Sequence, residues 1–162
     1  METAAIALGS NLGDRLETMR TAASRIATLG SGLQKSPVYE TVPIGPPQPD
    51  FLNAVVLLQT NLGPEALLRE LLAIEQQLGR VRRQRWGPRV IDLDLLVYGD
   101  RELQTPELTL PHPELPHRAF VLSPWADIAP ELEVPRLGTV RSLLRRLSAA
   151  ERDSVRIQTR NL

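Results

Sequence analysis

This chain of 162 residues predicts an α+β fold: an antiparallel sheet with helices packed on one face. Three observations predict it. Apolar runs and helical stripes follow in the order strand, helix, strand, strand, helix, strand. Hydrophobic residues make up 42% of the chain, enough for one domain with a real core. In Ile91-Asp92-Leu93-Asp94-Leu95, apolar and acidic residues alternate, as in a strand with one face in the core and one outside. The element order is that of a split β-α-β unit, which makes the core ferredoxin-like. The C-terminal third adds an extension of short strands and helices, so residues 1–162 read as one domain.

The first strand is the apolar run Ala4 to Leu8, ended by Gly9-Ser10-Asn11. Asp14 and Glu17, three residues apart, form a capping pair for a helix. Leu12, Leu16, Met19, Ala23 and Ile26 recur at helical spacing until Gly30. Leu33 to Tyr39 reads as a second strand, with Pro37 restricting it to an edge or a bulge. Residues 41–49, with four prolines, form a stiff loop. Phe51 to Thr60 is a third strand, whose register puts Phe51 and Asn53 on one face. Gly63-Pro64 opens a second helix, with Leu67, Leu68, Leu71, Leu72 and Leu78 as its buried stripe and Gly79 as its end. After the Asp-Leu-Asp strand, Tyr98-Gly99-Asp100 is a turn and Thr109 to Pro113 a rigid extended segment. Arg118 to Leu122 reads as a short helix and Thr139 to Leu147 as a last amphipathic one. From about residue 148, and in particular from Glu151, the polar end is expected to be loose.

The stretch with most chemistry is Arg85-Trp86-Gly87-Pro88-Arg89 followed by the acidic strand. Asp92 and Asp94 sit two residues apart on one strand face, roughly 6.5–7 Å along the chain. Carboxylates so placed repel each other unless a cation lies between them. Magnesium suits the place, because it is commonly held by one or two carboxylates together with substrate phosphates. Arg80, Arg82, Arg83, Arg85 and Arg89 precede the pair with no acid among them, and guanidinium forks match phosphate oxygens. Alternating Asp is also the pattern of a solvated face; the rigid basic turn joined to it is what points to a site. The turn at Gly9-Ser10 before a helix is by itself an ordinary strand-to-helix connection.

Composition removes several classes. With no cysteine there are no disulfides, thiolate metal sites or cysteine nucleophiles. Net charge is formally zero, which argues against a protein built to coat nucleic acid. No long apolar run or signal-like start is present, so the expectation is a cytoplasmic protein with no membrane partner.

Taken together these residues resemble the 6-hydroxymethyl-7,8-dihydropterin pyrophosphokinase family. The match rests on Arg85, Gly87-Pro88-Arg89 and, two residues later, Asp92-Leu93-Asp94. Supporting pieces are Gly9-Ser10-Asn11-Leu12, Thr41 to Gly45, Phe51-Leu52-Asn53-Ala54, Gly79-Arg80-Val81-Arg82, Pro111-His112, Arg118 with Phe120, and Ala129-Pro130-Glu131-Leu132. The resemblance spans residues 1 to about 147.

It implies transfer of the β,γ-pyrophosphate of ATP to the hydroxymethyl group of the pterin, releasing AMP, in folate biosynthesis. ATP is the co-substrate and two Mg²⁺ ions are the cofactors, with Asp92 and Asp94 as their ligands. Arg80, Arg89 and Asp94 are the implied catalytic residues. Arg80, Arg82, Arg83, Trp86, Arg89, Thr109, His112 and Arg118 correspond to positions that bind ATP. Thr41, Pro43, Ile44, Gly45, Phe51, Asn53, Trp86, Asp92 and Phe120 correspond to the pterin site, the two Phe as stacking faces and Asn53 as the edge reader. Arg83 and Trp86 fall in a loop that closes over the site and excludes water. A monomer is expected.

The chain departs from the family pattern at Glu107, where some members carry a base, and at Pro113, which replaces an aromatic. The arginine loop is one residue short, and no separate general base is evident. Asp94 is the candidate acceptor of the hydroxyl proton. A nucleotidyltransferase also pairs Gly-Ser with Asp-x-Asp, but there the two motifs lie close together, unlike Ser10 and Asp92. An RNA-binding module on the same sheet would expose aromatics where Asp92 and Asp94 stand.

Overall fold

The computed structural model describes residues 1–43, 45–79 and 90–162. The chain runs β1 (Glu2–Ser10), α1 (Arg15–Ala27), β2 (Ser31–Lys35), β3 (Val38–Thr41), β4 (Phe51–Thr60), α2 (Pro64–Gln77) and β5 (Asp92–Tyr98). Two short hairpins follow, β6 (Leu103–Gln104) with β7 (Thr109–Leu110), and β8 (Glu133–Val134) with β9 (Gly138–Thr139). Between them lies α3 (Ala119–Ile128); α4 (Val140–Arg146), α5 (Ala149–Asp153) and β10 (Val155–Thr159) complete the chain. The main sheet is antiparallel, in the order β10-β3-β4-β1-β5, with β2 also paired to β4. Its inner strands have the split β-α-β order the sequence predicts.

Each core element follows from local chemistry. The Asp14 carboxylate accepts the Glu17 N–H and caps α1, whose Met19, Ala22, Ala23 and Ile26 are buried. Gly63 and Pro64 start α2, and Gly79 stands just past its end at a φ of 88°. Both helices pack on one sheet face, against Ile6, Leu8, Val56, Leu58, Leu93 and Leu95. On the other face, Ala5, Val55, Leu57 and Val97 meet Leu122 and Trp125 of α3 and Leu143 of α4. The C-terminal extension thus covers part of the sheet that the first two helices leave bare.

Four expectations change. The strand predicted over Leu33 to Tyr39 is two strands, broken at Ser36-Pro37. There the Ser36 amide donates to Val55 O and the Ser36 hydroxyl accepts from Val55 N, replacing the ladder that proline interrupts. The α2 stripe runs through Leu67, Leu71, Ile74 and Glu75, while Leu72 is 37% exposed. At 100° per residue Leu72 falls beyond the arc, roughly 100° wide, that holds Ile74, Leu67, Leu71 and Glu75. The helix predicted to end at Leu122 runs to Ile128. Pro124 lacks the amide that continues the ladder, and burial of Leu122 and Trp125 carries the helix through it. Finally, the polar end of the chain carries regular elements. Ser148 and Glu151 form a reciprocal capping box for α5, and β10 pairs with β3 at the sheet edge. Arg156 reaches Glu40 at 3.4 Å, and Leu162 is buried in the core cluster beside α1.

Candidate active site

The site is laid out by strand register. Ala7 of β1 lies between Val55 of β4 and Asp94 of β5; Gly9 lies between Asn53 and Asp92. Asn53 then faces Tyr39, and Phe51 faces Thr41, on β3. Residues directly opposite in an antiparallel sheet share a face. Both carboxylates, Asn53, Phe51 and Thr41 therefore project from one side, separated by a floor of the small residues Ala7 and Gly9.

Two cavities open on this layout. The larger, of about 490 Å³, is lined by Thr41, Pro43, Phe51, Asn53 and Phe120 together with Asp92 and Asp94. The smaller, of about 340 Å³, is lined by Leu68, Glu75, Thr109 and His112, and again by Asp92 and Asp94. The acidic pair stands on the partition between two chambers. One chamber has the apolar walls and few polar groups suited to a flat heterocycle.

The polar groups are held in place. Asn53 Nδ2 donates to Thr41 Oγ1 at 3.0 Å, in a buried contact that fixes the amide plane. Arg118 Nη1 lies 3.6 Å from Asp94 Oδ2, and its guanidinium carbon lies 5.6 Å from the centre of the Phe120 ring. One arginine therefore spans a carboxylate and an aromatic face. A β-bulge opposite Ala5 and Ile6 inserts Leu96, and the Leu96 carbonyl accepts the His112 amide at 2.9 Å. The Glu114 amide donates to His112 Nδ1 at 3.2 Å, which assigns the proton of the neutral ring to Nε2. Burial, helped by the nearby Arg118 charge, pulls the His112 pKa below its ordinary value, so the ring favours that neutral form.

Of the residues singled out in the sequence, Thr41, Pro43, Phe51, Asn53, Asp92, Asp94, Arg118 and Phe120 meet around the larger cavity. Thr109 and His112 line the smaller one. Arg118 lines the chamber of the two Phe rather than that of His112. Gly45 is exposed and lines neither. Ile44, Arg80, Arg82, Arg83, Arg85, Trp86 and Arg89 lie outside the described residues. Glu107 and Pro113, the departures from the family pattern, both border the smaller chamber.

Glu75 was not foreseen. It is 2% exposed, and its Oε2 accepts the amide of Leu93, between the two aspartates, at 2.7 Å. An acid in the buried stripe of α2, four residues after Leu71, was the available signal. The aspartate pair suits magnesium by donor type: two half-buried oxygen ligands on one face, with chambers on either side for other oxygens. Among the described residues no cluster of three or more His, Cys, Asp or Glu forms a closed cage.

A sequence model of the 7,8-dihydro-6-hydroxymethylpterin-pyrophosphokinase (HPPK) family matches residues 5–130. The chain is 46% identical over 138 residues to a 2-amino-4-hydroxy-6-hydroxymethyldihydropteridine pyrophosphokinase of Synechocystis, covering 83% of this chain and 70% of that protein. To the enzyme of the same description from Pseudomonas aeruginosa it is 47% identical over 133 residues, or 80% and 82% of the two chains. The Haemophilus influenzae counterpart is 41% identical over 151 residues, or 91% and 94%. Among solved structures, an HPPK-DHPS in complex with substrates superposes with a TM-score of 0.75 at 14% identity, covering 97% of this chain. A Plasmodium falciparum HPPK-DHPS with pteroate gives 0.72 at 15% identity over 96% of this chain. These two likenesses concern the fold, and the chain spans about half the length of either structure, 48% and 46%.

Proposed function

This chain belongs to the 7,8-dihydro-6-hydroxymethylpterin-pyrophosphokinase family, and we propose how its two chambers divide the family's reaction. The enzyme transfers pyrophosphate to the hydroxymethyl group of 6-hydroxymethyldihydropterin in folate biosynthesis. On this reading the pterin occupies the larger chamber. Its ring lies between Phe51 and Phe120, and its donor edge meets Asn53 and the wall of Thr41 and Pro43. ATP occupies the smaller chamber, near Thr109 and His112. The observation that carries the division is the position of Asp92 and Asp94, which line both chambers.

The hydroxymethyl oxygen bonds to the β-phosphorus, the bond from that phosphorus to the α-phosphate oxygen breaks, and AMP leaves. The chain's task is chiefly positioning and charge. Asp94 takes the hydroxyl proton, and Arg118, 3.6 Å away, holds the Asp94 carboxylate in place. His112 in its neutral form offers Nε2–H to a phosphate oxygen. Asp92 and Asp94 would hold two magnesium ions, which neutralise charge on the phosphates. The Arg80, Arg82, Arg83, Trp86 and Arg89 roles remain those the resemblance implies. We further infer a monomer working in the cytoplasm; no helix among the described residues is long and apolar enough to cross a membrane.

The test is incubation with ATP, magnesium and 6-hydroxymethyl-7,8-dihydropterin. AMP formed in step with the pterin diphosphate is expected. Release of free pyrophosphate would mean nucleotidyl transfer and would overturn the division of the site.

A further inference from the structure

Beyond the residues that the resemblance implies, the larger chamber has a wall from the end of the chain. Val155 opens β10 and pairs with Thr41, which pairs with Phe51, so the three form one cross-strand row on the cleft side of the sheet. Val155 lines the chamber, together with Glu151 of α5 and Ser154 between α5 and β10. The segment is anchored independently of any ligand. Arg156, the next residue, lies 3.4 Å from Glu40, and the Ser148–Glu151 capping box fixes the first turn of α5, which leads into the strand. The Lys35 ammonium donates to the carbonyl of Leu162 at 3.0 Å, beyond the strand. A half-buried, β-branched side chain on a strand so held is a stiff boundary.

From this juxtaposition we infer that Val155 is a positioning residue for the pterin. It closes the end of the cleft away from Asp92 and Asp94, and so sets how far the ring can slide from the reacting oxygen. The inference rests on the pterin occupying this chamber. It differs from the roles of Phe51 and Asn53, because Val155 bounds the ring rather than stacking on it or reading its edge.

The experiment compares Val155→Phe and Val155→Ala with Ile157→Ala, which trims the same strand at a residue outside the chamber lining. Steady-state KM for 6-hydroxymethyl-7,8-dihydropterin and for ATP is measured for each. Binding of the pterin in the presence of magnesium and α,β-methylene ATP is measured alongside. Val155→Phe is expected to raise the pterin KM and Kd by roughly tenfold, the usual scale for a change of one or a few carbons in a closed pocket. Val155→Ala is expected to raise both by a smaller factor of about three, with the ATP KM within twofold in every variant. Ile157→Ala is expected to leave both substrates unaffected. If Val155→Phe does not fold, the Val155→Ala result decides. An unchanged pterin KM in the folded Val155 variants, or an equal change in Ile157→Ala, overturns the inference. A wild-type protein that makes no AMP overturns the functional reading instead.

Discussion

Gly9 and Asn53 face each other across β1 and β4, and a methyl group on Gly9 would come within 3.1 Å of the Asn53 side-chain oxygen. The same carbon would stand 3.7 Å from the Phe51 ring. Gly9 is thus small where the larger chamber has its floor.

Gly9→Ala is expected to raise the pterin KM by roughly tenfold and to leave the ATP KM near the wild-type value. The Gly9 backbone is not in the left-handed region, so the change acts through crowding of Asn53 rather than through strain. Since Asn53 is tied to Thr41, it has little room to yield. A pterin KM within twofold of wild type would mean that Gly9 does not bound the pterin.

Asp92→Asn and Asp94→Asn keep the shape of the partition and remove its charge. Each is expected to lower kcat/KM by roughly a hundredfold or more and to raise the magnesium concentration needed for half-maximal rate. Magnesium titrations of turnover check this. Asp94→Asn that kept both metal affinity and turnover would end its assignment as proton acceptor.

His112 is expected to titrate below 6.5 in the metal-free protein, because burial and the Arg118 charge disfavour the imidazolium. The unfolded chain then binds the proton more readily than the folded one. Stability is therefore full above the unfolded value and falls as pH drops through the lower folded value. Protonation at Nδ1 also breaks the bond from the Glu114 amide. A histidine NMR titration read beside a His112→Gln variant measures the shift, and a midpoint above 6.5 contradicts it.

Glu75→Ala leaves the Leu93 amide without its acceptor on the outer edge of β5. The expected loss of stability is about 1–3 kcal/mol by denaturant unfolding. The start of β5 carries Asp92, so kcat is expected to fall in the same variant. Unchanged stability would mean that water replaces the carboxylate at no cost.

The sequence makes some of this site legible and hides the rest for identifiable reasons. Phe51 to Thr60 is a strand with the predicted ends, because its apolar run is long, β-branched in the middle and bounded by a proline-rich loop. Asp92 and Asp94 declare their shared face through period two alone. Gly9 reads as the stop of an apolar run; its second role depends on Asn53 and Asp92, which only register brings beside it. Val155-Arg156-Ile157-Gln158-Thr159 carries a strand's alternation within a polar end, and the partner that makes it a strand, β3, lies more than a hundred residues earlier. Leu72 misleads because composition marks it as apolar while helix phase turns it outward.

The floor of the cleft belongs to β1, which is bonded to β4 on one side and to β5 on the other. Amides held in this way in a sheet centre exchange with deuterium among the last in a domain, close to the rate of global unfolding. Ala7 and Gly9 thus form a bench that stays still through motions that rearrange surface loops. Adaptation to either substrate has to come from the sides of the cleft, and deuterium uptake should leave the bench dark while its surroundings label.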